Sequence, residues 1–381
     1  MDAINNLISA ASATTLKVLY PGAMRDFYFR NSPWMARLRA FATQAWTGGL
    51  FLELPFAYQP LIGDAYAKGG TFITDKVDVI ASNRFFPRFY YVNLTQFLAD
   101  LAVFNRGPAA IVDRLSIDSK VGVNTMNEML AIDFWRHGQG VSGGTTGNST
   151  DRSLRTNGVA EAVNNGVDPS WTGEYFQVYG ETDRRTTSAY GDYQTSTPIF
   201  CGNSDGSVGS LDYLKLDRGY NNCRINAKEP DIGVGNKEVI TLIENRVQPM
   251  QRFETVTDFV LGVSGLRMKN AIIVQDDYCP SLANGKSKPT GSFLTSTFSS
   301  PATVTTSSRL PASTTITVGE TFWWFTTQSW KVTMPDGIYG FNFTGYQRPP
   351  NADVVVGQIL LAITMYCEDV RLNQQYYGIG S

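Results

Sequence analysis

Few residues in this chain could carry chemistry, and they are easily found. The one histidine, His137, closes "GPAAIVDRLSIDSKVGVNTMNEMLAIDFWRHGQG" at 107–140. It could act as a general acid or base. In the last turn of a helix, however, a histidine also complements the dipole and satisfies carbonyls, and that structural role is the reading adopted. A GxSxG elbow is absent, and a histidine triad would have only His137 to draw on. "GVGNKE" at 233–238 lacks the GxxxxGK[ST] spacing that wraps a phosphate, and helix capping explains it. Cys201, Cys223, Cys279 and Cys367 are spaced too widely for a zinc ribbon or a redox pair, which favours free thiols. Carboxylates leave one enzyme route open: Asp276 with Asp277, or Glu181 with Asp183, beside Trp323 and Trp324 as sugar platforms. Adjacent acids on a strand point to opposite faces, and short acidic clusters usually lie in solvated loops. No catalytic, cofactor-binding or metal-binding residue is therefore assigned.

Composition narrows the partners. The net charge is −2, and charged residues make up 17% of the chain, against roughly 25% in ordinary soluble domains. A protein that seeks polyanions would be far more basic. Aromatics at 12% and sparse charge point to more buried surface than one monomer needs, which subunit contacts would supply. The start carries Asp2 and no basic residue before Lys17, which argues against a secretory signal. The most apolar run, 354–366, contains Gln358 and falls short of the ~20 residues of a membrane span. A buried strand fits it better.

The elements that would position these residues can be read from their periods. Residues 1–45 form an arm ending in a short helix, with Ser32 as cap and Pro33 at its first position. From 46 to 93 the period is two. Leu50, Leu52, Leu54 and Phe56 alternate, "TFITDKVDVIAS" forms a second run, and the pair reads as a protruding hairpin with apolar residues on both faces. A helix over 108–137 would extend ~45 Å, with Ile111, Leu115, Gly122, Met126, Leu130 and Phe134 on one stripe and Asp113, Lys120, Asn127 and Asp133 elsewhere. Helices are expected in "VGSLDYLKLDRGY" and, capped near Asn236, after the short strand in "EPDIGVGNKEVITLIENRV". "GLRMKNAIIVQDD" reads as a strand pair or a bulged strand. A Ser/Thr-rich insertion at about 289–318 reads as an exposed loop or hairpin. "TFWWFTTQSWKVTM", "GIYGFNFTGY" and 354–366 close the chain as strands, so the class is α+β.

The order and spacing of several passages resemble the major capsid proteins of tailed bacteriophages, whose fold is named after phage Hong Kong ninety-seven. These passages are "LYPGAMRDFYFRNSPWMARL", "FFPRFYYVNLTQFLADLAVFNRGPAAIVDRL", "NGVDPSWTGEYFQVYGETDRRTTSAY", "EPDIGVGNKEVITLIENRVQPMQRF", "GLRMKNAIIVQDDYCP" and "TFWWFTTQSWKVTM". The resemblance implies an N-terminal arm (1–45), an extended hairpin loop (46–93), a peripheral domain (94–155 and 328–369) with spine helix 108–137, and an axial domain (156–327 and 370–381). It implies a non-enzymatic subunit that self-assembles into hexamers and pentamers of an icosahedral shell around double-stranded DNA. The implied partners are further copies, separate scaffolding, portal and decoration proteins, and DNA contacted non-specifically, with no membrane. The implied location is the virion, assembled in the host cytoplasm.

Two alternatives remain: the shell of a cellular nanocompartment with the same fold, and a carbohydrate-active β-rich enzyme. The two classes part at His137. On the scaffold reading, His137→Ala changes stability by roughly 1 kcal/mol or less, the scale of a terminal dipole contact, and leaves assembly intact. Loss of a catalytic turnover with the fold unchanged would overturn it.

Overall fold

The computed structural model describes residues 32–46, 48–71, 75–97, 114–136, 138, 154–166, 176, 178–184, 195–203, 207–247, 255–258, 263–280, 303–305, 315–317, 319–335, 340–343, 347–350 and 353–380. Among these the chain divides into two compact units. The smaller holds Phe89–Leu130 and Pro335–Ala362, and the larger holds residues 32–88, Ala131–Met334 and Ile363 onward.

The larger unit is organised by a seven-stranded sheet. It contains β7 (Ile199–Phe200), β8 (Ile232–Gly235), β9 (Thr255–Asp258), β10 (Val263–Met268), β11 (Ala271–Gln275), β14 (Glu320–Phe325) and β18 (Gln374–Ile379), in the order β7-β18-β14-β8-β11-β10-β9. Strands β8 and β11 run parallel, and so do β18 and β7, while the other neighbours are antiparallel.

Strand β14 reads "ETFWWF" because both its faces are covered; a strand buried on one side only would alternate with polar residues. Phe322 and Trp324 point to one face. There they join Leu216 and Tyr220 of helix α4 (Tyr213–Asn222) and Val239 and Ile243 of helix α5 (Lys237–Val247). Trp323 and Phe325 point to the other, where Trp34 of helix α1 (Pro33–Phe41) stacks on Phe325 at 4.1 Å. Trp135, the last residue of helix α2 (Arg114–Trp135), lies 5.7 Å from Trp323. The glycines of β8 make room for these rings. Gly233 stands opposite Trp324 and Gly235 opposite Phe322, and a Cβ on Gly233 would come within 2.5 Å of the Trp324 ring.

Helix ends follow their local signals. Ser32 caps α1 by accepting the Met35 N–H at 3.3 Å, with Pro33 beginning the helix as expected. Asn236 caps α5, its side-chain oxygen accepting the Val239 N–H at 2.9 Å. Of the two readings of 265–277, a strand pair or a bulged strand, the structure has the pair: the hairpin β10–β11, which begins at Val263, ends at Gln275 and turns at Lys269 with φ 55°.

In the smaller unit, β4 (Arg88–Phe97) pairs with β17 (Val354–Cys367), and β16 (Gly340–Phe343) pairs antiparallel with β17. Helix α2 passes close over both strands at Gly122. A Cβ there would lie 2.8 Å from Leu94 Cδ2 and 3.1 Å from Ile359 Cδ1. The expected stripe is thus buried at Gly122, Met126, Leu130 and Phe134. Residues 108–113 of the expected helix, and the side chain of Leu115, lie outside the described residues. The helix ends at Trp135 and not at His137, because the Arg136 N–H turns back to the Asp133 carbonyl at 3.1 Å. Asp133 itself, expected away from the buried stripe, is 4% exposed and paired with Arg155 at 3.0 Å. Residues 131–136 are buried on every side, and an acid there requires a cation.

In the larger unit β17 also pairs with β15 (Trp330–Pro335), and β1 (Thr43–Trp46) adds beside β15. The expected hairpin forms from β2 (Leu52–Ala57) and β3 (Ile80–Phe85). Its second strand begins later than the alternating run at 71–82 suggested. The register places Phe85 opposite Leu52 and Ile80 opposite Ala57, leaving 58–79 as the connection. Residues 88–93, read in sequence as the end of the hairpin, lie in β4. Of the Ser/Thr-rich insertion, Thr303–Thr305 and Thr315–Thr317 pair as β12 and β13, and the remainder up to Thr317 lies outside the described residues.

Gly219 supplies a direct test of this packing. It lies on the buried face of α4, and a Cβ there would overlap the Tyr376 hydroxyl, which donates to the Lys215 and Leu216 carbonyls at 3.1 and 3.2 Å. Gly219→Ala gains ~1 kcal/mol of helix propensity but overpacks the site by about 2–3 kcal/mol. A net loss is expected, read as a lower urea midpoint with an unchanged m-value.

Candidate functional site

The residues that sequence singled out for chemistry are dispersed. His137 lies outside the described residues; beside it, the Gly138 N–H donates at 3.1 Å to the buried Glu161 carboxylate of the short helix α3 (Val159–Ala162). Trp323 and Trp324 are fully buried and cannot stack on a sugar. Glu181 sits at the tip of the short hairpin β5 (Val178–Tyr179)–β6 (Thr182–Asp183), with φ 65° and Arg84 at 3.9 Å. The side chain of Asp183 is outside the described residues. At the "GVGNKE" turn, Asn236 bonds both the helix backbone and the Glu320 carboxylate. An acid beside the helix start is the opposite of a phosphate cradle. The four cysteines are free and buried, and burial pushes every thiol up, Cys201 to about 12. Such thiols are inert. Among the described residues no group of three or more His, Cys, Asp or Glu side chains could hold a metal, and no helix is long and apolar enough to cross a membrane.

Asp276 departs most from expectation. An acid read as part of a solvated cluster is completely buried at the end of β11. Its carboxylate accepts the Ser32 hydroxyl at 2.7 Å, the Trp34 N–H at 3.2 Å and the Tyr278 N–H at 2.8 Å. Asp277, partly exposed, takes Gln275 at 3.0 Å instead. The two acids therefore have different partners. Asp276 joins the start of α1 to a strand more than 240 residues away, a pairing that no local signal could announce. Arg37 makes a second tie from α1, 2.9 Å from Asp231.

What the molecule presents outward is apolar surface. On the hairpin, Glu53 accepts Ser82 at 2.6 Å and Arg84 at 3.3 Å, forming a polar ladder on one face. Leu52, Leu54 and Phe56 share the other face and are only half buried. The face with the ladder also carries Pro55, Ala57 and the exposed Ile80, so apolar residues stand on both faces, as expected. The pleat separates Leu52, Leu54 and Phe56 from Glu53, Pro55 and Ala57. Phe51 packs near Phe86 at 5.9 Å, Leu50 is 78% exposed, and Phe72 lies outside the described residues. Leu61, Ile62 and Tyr66 in the connection are exposed, as are Phe89, Tyr91 and Phe97 on β4. The stripe on β4 was missed in sequence, although "RFYYVNLTQF" carries it at alternate positions.

Compared with solved structures, the chain has the α+β fold of phage capsid proteins, the one named after phage Hong Kong ninety-seven. It is similar to the capsid protein of cyanophage A-1(L) over 94% of this chain and 96% of that one, with a TM-score of 0.59 at 10% identity. It is also similar to the SrpI encapsulin of Synechococcus elongatus PCC 7942 (TM-score 0.55, 8% identity, 96% and 94% covered). A third similar structure is the capsid of a native GTA particle (TM-score 0.52, 8% identity, 94% and 95% covered). No family model and no curated protein matches the sequence.

Burial raises the Asp276 carboxyl from 3.8 to about 6, against the pull of its three hydrogen bonds. Between these values the folded chain holds a proton that the unfolded chain has released. The stabilisation is complete below about pH 4 and is lost as pH rises through about 6, a change on the order of 3 kcal/mol. Asp276→Asn is expected to remove this slope in unfolding free energy between about pH 4 and 6. An unchanged slope in the variant would show that another group carries it.

Proposed function

We propose that this chain is the major capsid protein of a tailed bacteriophage, a non-enzymatic subunit that assembles into hexamers and pentamers of an icosahedral shell around double-stranded DNA. The observation that carries the proposal is the match of nearly the whole chain to capsid and shell subunits. The apolar residues of the hairpin add to it, Leu50 and Ile80 being exposed and Leu52, Leu54 and Phe56 half buried. A two-stranded ribbon is marginal in water unless something covers it, and a neighbouring subunit is a cover that a shell supplies.

In this reading, helix α2 is the spine of a peripheral domain (94–155 and 328–369) and the seven-stranded sheet lies in an axial domain (156–327 and 370–381). The hairpin extends over the adjacent copy, and scaffolding, portal and decoration proteins are separate chains. The near-neutral net charge suits DNA that is enclosed and not tightly bound. The encapsulin likeness supports a second reading, a nanocompartment shell with protein cargo. Nuclease-protected DNA inside native particles favours the first, and co-purifying protein without DNA the second.

The purified protein is expected to form closed particles or capsomers in electron micrographs. Lys68, exposed beside Gly69 with φ +88°, is expected to be cut quickly by trypsin in dissociated subunits and to be protected on assembly. A protein that stays monomeric at high concentration, and is cut there at one rate throughout, would remove the shell reading.

A further inference from the structure

One end of the larger unit is basic. Just after α4 the chain makes a two-residue turn, in which Ile225 and Lys228 exchange backbone hydrogen bonds at 3.1 and 3.0 Å. The β10–β11 turn lies beside it. The Asn270 side chain bonds Glu229, and Lys269 pairs with Asp217 and donates to Asn221 at 3.0 Å. Arg224 is 3.8 Å from Glu229, and the Arg267 Nε donates to the Lys269 carbonyl at 3.2 Å. Arg218, next to Asp217 on α4, and Lys228 are exposed. Both acids thus have partners, while among the described residues Arg218, Lys228 and Arg267 pair with no carboxylate. Five cations against two acids make this end positive in a chain whose net charge is −2.

We infer that this end binds the phosphate backbone of duplex DNA, without regard to sequence. The choice of DNA rests on the capsid reading, and the inference adds the surface that touches it. What stands among the cations is polar: Asn221, Asn222, Asn226 and Asn270 are exposed, whereas Tyr220, Cys223 and Met268 are buried. A surface for a protein partner has large apolar anchors at its centre. Phosphate oxygens are instead met by Arg, Lys and Asn side chains. The backbone serves the same end. Ala227 and Lys269 lie in the left-handed region, at φ 61° and 55°, where glycine would be free of strain and lysine is not. A cation is therefore held at the β10–β11 turn against the local preference. Binding through about five phosphates is weak and sensitive to salt, in keeping with the near-neutral charge of the whole chain.

Full-length subunits, verified as monomers by sedimentation, are titrated into a short fluorescent duplex of mixed sequence at several salt concentrations. Arg218→Gln, Lys228→Gln and Arg267→Gln together should weaken binding about ten-fold or more at low salt. They should also lower the slope of log affinity against log salt by about 2.7, at roughly 0.9 per contact. Lys68→Gln, Lys76→Gln and Lys237→Gln, exposed elsewhere, remove the same charge and should leave the slope unchanged. Equal losses in the two variants assign the effect to net charge and overturn the proposal. So does an absence of binding by the unaltered protein, or an unchanged slope in the first variant. Polyglutamate that competes as well as DNA at equal charge assigns the surface to an acidic protein, and the DNA assignment then falls. Closed particles whose subunits fail this test remove the surface and leave the capsid reading standing, whereas binding by a protein that never assembles does the reverse.

Discussion

Four aromatic side chains in succession, Phe322 to Phe325, are kept from water only if both faces of β14 are covered, and much of the larger unit is arranged to meet that condition. Helices α4 and α5 close one face around Phe322 and Trp324. Helix α1 and the end of α2 close the other around Trp323 and Phe325. Each large ring fully buried contributes on the order of 2–3 kcal/mol relative to exposure, so loosening either cover would cost several times that amount. Neighbouring strands follow from the same condition. β8 has glycine opposite Trp324 and Phe322, because a side chain there would occupy the volume of the rings.

Holding α1 in place then requires polar ties, since a nine-residue helix is marginal by itself. Asp276 accepts the cap hydroxyl and a free N–H of the first turn, so the orphan donors of α1 are met by a residue of the sheet. Arg37 adds a bridge to Asp231, which also accepts the Thr327 N–H at 2.7 Å. These contacts hold the helix in one position, and the aromatic stack under it supplies the energy. The buried acids that might have suggested an active site are accounted for as structural ties, whose cost in the interior is offset by hydrogen bonds.

The outside of the molecule shows the opposite pattern. Charge is sparse and apolar side chains emerge along the hairpin and β4. In a solitary protein this is a liability to aggregation. In the proposed shell subunit it would be a contact surface.

The sequence by itself determined the local elements: the cap and proline of α1, the Asn236 cap of α5, the buried stripe of the long helix, the β10–β11 pair and the closing strands. These depend on periods and end signals a few residues long, which short-range sterics and hydrogen bonding enforce. Its order of elements was also enough for the resemblance to a capsid fold. The partner of each element was decided only in the tertiary structure. Asp276 looked like a solvated acid because two of its three donors lie more than 240 residues away and leave no local signal. Asp133 looked exposed because helical period marks one buried stripe, whereas the end of α2 is enclosed on all sides. The hairpin register could not be read from alternation, because a period of two fixes faces without fixing which residue stands opposite which; only pairing, with Phe85 across from Leu52, does that.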